Sequence, residues 1–294
     1  MTLRLGTLGS AVARAQAEAV AKRLGAELVV VDTARDAADA DIAEALRAAL
    51  RAGEVDAVVH AYARLPLLPA DGLTIAAVPK RSDARDVVCG AGGHDLDTLP
   101  AAARVGADSP RRRAQLLRRR PDLEVVDIRG DVEERLAGIG ADDPERRLDA
   151  VVLSAAGLER LGRPDAVTEW LSLTSWPTTP AQGALAIETR TGDARSVSKL
   201  EHKPSRLTAE AERGVLARLG AASAPLGVSA LLEDGLLFLS ARVYALDGSE
   251  HVTSSHALYP EDSRDPAGEL AARVADELLE AGAAGLAQLG GRPS

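Results

Sequence analysis

Over the first 190 residues, short apolar runs alternate with stretches of helical periodicity. That alternation limits the chain to layered α/β folds with largely parallel sheets. LRLGT at 3–7 leads into a helix pattern from Ser10 to about Leu24, ELVVV at 27–31 into a second over 38–51, and DAVVH follows at 56–60. A second series repeats the plan: RVGA at 104–107, a helix from Ser109, LEVVD at 123–127, a helix from Asp131, DAVVLS at 149–154 and a helix near 155–161. Two similar α/β lobes account for both series. LAIET at 185–189, after the Pro-containing SWPTTPAQGA, is placed to return the chain to the first lobe.

From about residue 207 the texture changes. One helix pattern (TAEAERGVLARLG) precedes LGVSALL, LLFLSARVYAL and HVTSSHALY around the turns EDG and LDGSE, and a final helix covers 266–284. Consecutive strands joined by D-G turns predict antiparallel hairpins, hence a small α+β domain. The expected division is α/β lobe 1 from 1–80 and 181–202, α/β lobe 2 from 81–180, and a C-terminal α+β domain over 203–294.

Composition removes several function classes. A net charge of −9 argues against nucleic acid, whose binding rests on counterion release by clustered Lys and Arg, and 2% aromatic residues leave little to stack on bases. No window approaches the roughly 18 apolar residues of a membrane span. MTLRLGTLGS lacks the basic and apolar regions of a signal peptide, so a cytoplasmic protein without a membrane partner is expected. A single cysteine and five scattered histidines argue against a metal site. Cys89 itself reads as a small buried hydrophobe.

The segment VGADSPRRRAQLLRRR carries the strongest local signal. Ser109 suits an N-cap and Pro110 a first helical position. Arg111, Arg112 and Arg113 then fall in the first turn, where each opposes the helix dipole by roughly several tenths of a kcal/mol. Their counter-charge is either a bound polyanion or the nearby Asp122, Glu124 and Asp131. VVDIRGDVEERL adds Arg129 just after a strand and Arg135 within the next helix, at the strand ends where α/β folds bind ligands. The turn LRLGTLGS offers amides to an anion, but its glycine spacing is not G-x-G-x-x-G and no Walker lysine follows, which disfavours nucleotides. Gln16, on the helix behind that turn, falls by spacing on a solvent face.

With EVDAVVHAYARLPLLPADGLTIAAVPKRSDARDVV, LDAVVLSAAGLERLG, PAQGALAIETR and AERGVLARLGAASAPLG, these segments resemble the porphobilinogen deaminase, or hydroxymethylbilane synthase, family over nearly the whole chain. The resemblance implies a monomeric cytosolic enzyme of tetrapyrrole (porphyrin and heme) biosynthesis, with two lobes like those of type II periplasmic binding proteins and a C-terminal α+β domain. Family members condense four porphobilinogen molecules head to tail with release of ammonia, on a dipyrromethane cofactor held by a cysteine thioether. Arg111, Arg112, Arg129 and Arg135 match arginines that hold acetate and propionate groups, and Ser10, Gln16 and Ser109 match polar residues of the family's cleft.

Two positions depart from the family pattern. The cofactor cysteine is Ala222, in Gly220-Ala221-Ala222, and a methyl group forms no thioether, so covalent attachment of dipyrromethane is expected to be absent. The His-Ser-x-Lys-Asp-x-Pro motif reads His60-Ala61-Tyr62-Ala63-Arg64-Leu65-Pro66, which puts Arg64 at the catalytic aspartate. A permanently protonated arginine repels the cation that forms as ammonia leaves. Two readings stay open: a divergent synthase acting on porphobilinogen, or a catalytically inactive homologue that binds a polycarboxylate or linear tetrapyrrole.

Overall fold

Three serines convert strand ends into helix starts. Ser10, Ser109 and Ser154 each accept a hydrogen bond from the amide three residues on, at 3.4, 3.3 and 3.3 Å, which satisfies one of the free N–H groups of a first turn. The computed structural model describes residues 2–34, 38–220, 224–287 and 289. Its elements, in chain order, are β1 (Arg4–Thr7), α1 (Ala11–Leu24), β2 (Glu27–Val30), α2 (Asp39–Arg51), β3 (Ala57–Ala61), β4 (Leu73–Ala77) and β5 (Asp86–Gly90). There follow β6 (Arg104–Ala107), α3 (Pro110–Arg119), β7 (Glu124–Asp127), α4 (Val132–Leu136), β8 (Ala150–Ser154), α5 (Ala155–Arg160), β9 (Glu169–Trp170) and β10 (Leu185–Arg190). The C-terminal part holds α6 (Lys203–Leu219), β11 (Leu226–Glu233), β12 (Leu236–Tyr244), β13 (His251–Leu258), α7 (Pro266–Glu280) and α8 (Ala283–Leu286).

The chain divides into two compact units, Met1–Asp83 with Ala181–Ala209, and Ala84–Pro180 with Glu210–Ser294. The first unit is built on one sheet of order β2-β1-β3-β10-β4, with β1 parallel to β2 and β3. LAIET does return to this sheet, as β10, but it runs antiparallel to both β3 and β4. The sheet is therefore mixed rather than largely parallel, because only the strands joined by α1 and α2 have the crossover that parallel pairing needs. Leu5, Ala17, Val20, Ala57, Ile187 and Leu200 form the apolar cluster between this sheet and its helices.

In the second unit, a sheet of order β7-β6-β8-β5-β9 repeats the pattern, with β6 parallel to β7 and β8, and β5 antiparallel to β8 and β9. Both of its faces are covered. Val88 and Val152 enter a cluster with Val105, Leu116 and Trp176, whereas Val87, Cys89, Val151 and Leu153 enter another with Leu158. Period-two alternation thus supplies two cores from the same strands, and each fully buried Val or Leu contributes roughly 1.5–3 kcal/mol.

The same unit carries an antiparallel sheet of order β11-β12-β13. Along β12, Leu237, Leu239, Ala241 and Val243 are at most 1% exposed while Phe238 between them is 42% exposed, so one face is apolar and covered. The β11–β12 turn uses Asp234 and Gly235 at φ 49° and 79°, the positive pair that a two-residue hairpin requires. At the β12–β13 turn, Gly248 sits at φ 74° so close to α3 that a Cβ would lie 2.4 Å from the Ala114 carbonyl oxygen. Only glycine fits there.

Candidate functional site

The arginine-first helix α3 turns its charge inward. Asp86, at the start of β5, is 0% exposed, and its Oδ1 accepts from Arg112 Nη2 at 2.6 Å. Its Oδ2 accepts from Arg111 Nη1 at 2.9 Å, Arg112 Nε at 3.2 Å and Trp176 Nε1 at 3.1 Å. Arg112 Nη1 donates to Asp108 Oδ1 at 2.6 Å, and Asp108 Oδ2 also accepts from Arg135 Nη1. Arg111 and Arg112 therefore find their counter-charge in Asp86 and Asp108, whereas Arg113 Nη1 donates to the Val125 carbonyl at 2.9 Å and lies 3.8 Å from Asp127. Of the three nearby acids, Asp122 pairs with Arg120, Glu124 with Arg104, and Asp131 caps α4 through a capping box.

The electrostatics follow from this geometry. Burial acts to lower the Arg112 pKa, but the adjacent carboxylates of Asp86 and Asp108 outweigh it and raise the value. Arg111 ends below its ordinary value because burial prevails over Asp86, and its Nε makes no hydrogen bond among the described residues. Burial pushes Asp108 upward; Arg112 and Arg135 more than offset it and hold the carboxyl below its ordinary value. Arg111 Nη1 also donates to Gln115 Oε1 at 2.7 Å, and Gln115 Nε2 donates to Tyr244 Oη at 3.1 Å, which ties α3 to β12.

The remaining candidate residues occupy different settings. Arg129 is exposed beyond β7 and has no ion pair or hydrogen bond among the described residues. The Arg135 side chain is 13% exposed, and its Nε donates to the Gly130 carbonyl at 3.0 Å. Ser109 is occupied in capping Arg112 N. In the first unit, Ser10 is exposed and caps α1, while Gln16 is 8% exposed on the buried face of that helix with Ala17 and Val20. The solvent-facing expectation for Gln16 is thus corrected: it lies one turn before Val20 and beside Ala17 on the face of α1 that is buried. Arg64 ends a short turn after β3, its side chain 65% exposed and 3.6 Å from Asp39 Oδ1. Ala222 lies outside the described residues.

A buried triad in the first unit escaped the sequence reading. Glu188 on β10 is 2% exposed and accepts from Arg47 Nε at 3.0 Å and Nη2 at 3.0 Å, with His60 Nε2 3.1 Å from its Oε2. Burial raises the Glu188 pKa, yet the bonds from His60 and Arg47 bring it below its ordinary value. Asp86 escaped likewise. The available signal was the same for both: an acid inside an apolar strand pattern has to find a cationic partner. Among the described residues no group of His, Cys, Asp and Glu is arranged to hold a metal, and no helix is long and apolar enough to cross a membrane.

The family profile described as "Porphobilinogen deaminase, dipyromethane cofactor binding domain" matches residues 3–198. The chain belongs to the porphobilinogen deaminase family. It is 46% identical to the porphobilinogen deaminase of Leifsonia xyli subsp. xyli over 317 residues, covering 98% of this chain and 95% of that one. It is 41% identical to the one of Cutibacterium acnes (98% and 97% covered) and 42% to that of Mycobacterium bovis (96% and 97%). A nutrient-binding protein from Burkholderia cenocepacia bound to methionine is a distant structural likeness, with a TM-score of 0.41 and 16% identity over 69% of this chain and 93% of that one.

One further side chain carries a group that can act as a nucleophile. Cys89 is the chain's single cysteine. It is 1% exposed on β5, and burial pushes its thiol up to about 11. A protonated thiol packed between Val87 and Val151 is neither a nucleophile nor reachable.

Proposed function

We propose that this chain serves tetrapyrrole biosynthesis as a member of the hydroxymethylbilane synthase family, and that it binds the acetate- and propionate-bearing pyrroles of that reaction through lobe 2. The observation that carries this reading is the arginine group around α3. Arg129 is exposed and unpaired among the described residues, and Arg135, six residues on, has its Nη1 on the solvent-reachable Asp108. Ser109, Arg111 and Arg112 belong to the group by their match to the family, with Arg111 and Arg112 buried behind it against Asp86. The division into 1–80 with 181–202, 81–180 and 203–294 belongs to the same proposal.

We infer further that dipyrromethane is not covalently held. The position of the family cysteine is Ala222, and the buried Cys89 does not fit the attachment role. Arg64 at the family's aspartate position accepts no proton at neutral pH and places positive charge where a cation would form. These residues favour a binding homologue of a polycarboxylate or linear tetrapyrrole over turnover by the usual mechanism, and no catalytic step is assigned to this chain.

Mass spectrometry of the purified protein tests the first point, with the polypeptide mass alone expected and an added pair of pyrrole units overturning it. Incubation with porphobilinogen, followed by oxidation, tests the second. Calorimetric binding without uroporphyrin is the expected outcome; robust uroporphyrin formation would return the chain to the synthases.

A further inference from the structure

Asp108 occupies the guanidinium ends that a ligand carboxylate would use. One of its oxygens takes Arg112 Nη1 at 2.6 Å and the other takes Arg135 Nη1. Neither arginine depends on Asp108 for its position. Arg112 is already held by Asp86 through Nε at 3.2 Å and Nη2 at 2.6 Å, and Arg135 is anchored through Nε to Gly130, at the start of a helix fixed by its own capping box. The two acids also differ in access, with the Asp108 side chain 20% exposed against 0% for Asp86. Solvent, and hence a dissolved ligand, reaches Asp108 first.

We propose that Asp108 is an internal stand-in for a ligand carboxylate, a specificity-determining residue that must leave the Arg112–Arg135 pair before a polycarboxylate occupies it. The inference rests on reading this arginine group as a polycarboxylate site. Its physical basis is exchange. An entering carboxylate replaces one charge-assisted pair by another, so the gain in contact energy is small, and the competing group is tethered at an effective concentration on the order of millimolar. Loss of Asp108 would leave both Nη1 groups open and raise the local positive charge by one. A role for Asp108 in positioning the arginines predicts the opposite sign.

Isothermal titration of porphobilinogen into the wild-type protein, Asp108→Asn and Arg129→Ala separates these cases, with the fluorescence of Trp176, bonded to Asp86, as a second readout. Asp108→Asn is expected to bind about tenfold more tightly than wild type, with the advantage shrinking as salt is raised. Arg129→Ala is expected to bind more weakly. Asp108→Ser, smaller and also neutral, should move affinity in the same direction, with native near-ultraviolet dichroism verifying its fold. Unchanged or weaker binding in folded Asp108 variants, beside measurable wild-type binding, overturns this inference and leaves the polycarboxylate reading intact. No binding by wild type or any variant overturns that reading and this inference with it.

Discussion

The Arg112 guanidinium and the Asp86 carboxylate meet at 2.6 Å with side chains 6% and 0% exposed. A helix whose first turn would repel its own dipole is thereby stabilised from the neighbouring strand, and Asp86 serves Arg111 and Trp176 at the same time. Buried pairs of this kind gain little over an apolar core, but breaking one is costly because the surviving charge stays desolvated.

Asp86→Ala should therefore destabilise the protein by about 3–5 kcal/mol, read from urea midpoints. Arg113→Ala, on the same turn with a side chain 42% exposed, should cost less than about 1 kcal/mol. Comparable losses in the two variants would show that Asp86 does not hold the network.

In the first unit, Glu188→Met leaves Arg47 buried without a carboxylate and should cost about 3 kcal/mol. The double variant Arg47→Met/Glu188→Met should lose clearly less than the sum of the single changes, since both charges go together. Strict additivity in that cycle would mean the 3.0 Å pair carries no coupling.

Acid sensitivity follows from the direction of the carboxylate shifts. Glu188 and Asp108 are held below their ordinary values of 4.5 and 3.8, so their stabilisation is complete above those values and disappears as pH falls through the depressed folded ones. Denaturation midpoints should fall slightly between neutral pH and about 5, where burial-depressed His251 disfavours the folded state, and drop more steeply below it. In Glu188→Gln the drop should be shallower, and a midpoint that rises on acidification would contradict the assignment.

Cys89 should resist an aromatic disulfide reagent at mildly alkaline pH in the native protein and react fully once the chain is unfolded. Its burial at 1% exposure and its thiol at about 11 both point that way. Rapid native labelling, followed by absorbance, would place the β5 core open to solvent.

What the sequence by itself determined was local. RVGA at 104–107 and the Ser109 cap specified β6 and the start of α3, the D-G turns specified the β11–β12 and β12–β13 hairpins, and the segment order carried the family. Periodicity and capping act over two to four residues, so they can be read along the chain. The four arginines were visible in the same way, but not their states. Arg112 meets an acid 26 residues upstream and Arg47 one 141 residues downstream. Only the tertiary structure decided that Arg111 and Arg112 are buried and paired, that Arg135 shares Asp108, and that Gln16 turns inward. Such choices depend on which strands become neighbours once apolar faces are buried, and on the cost of leaving any buried charge unpaired.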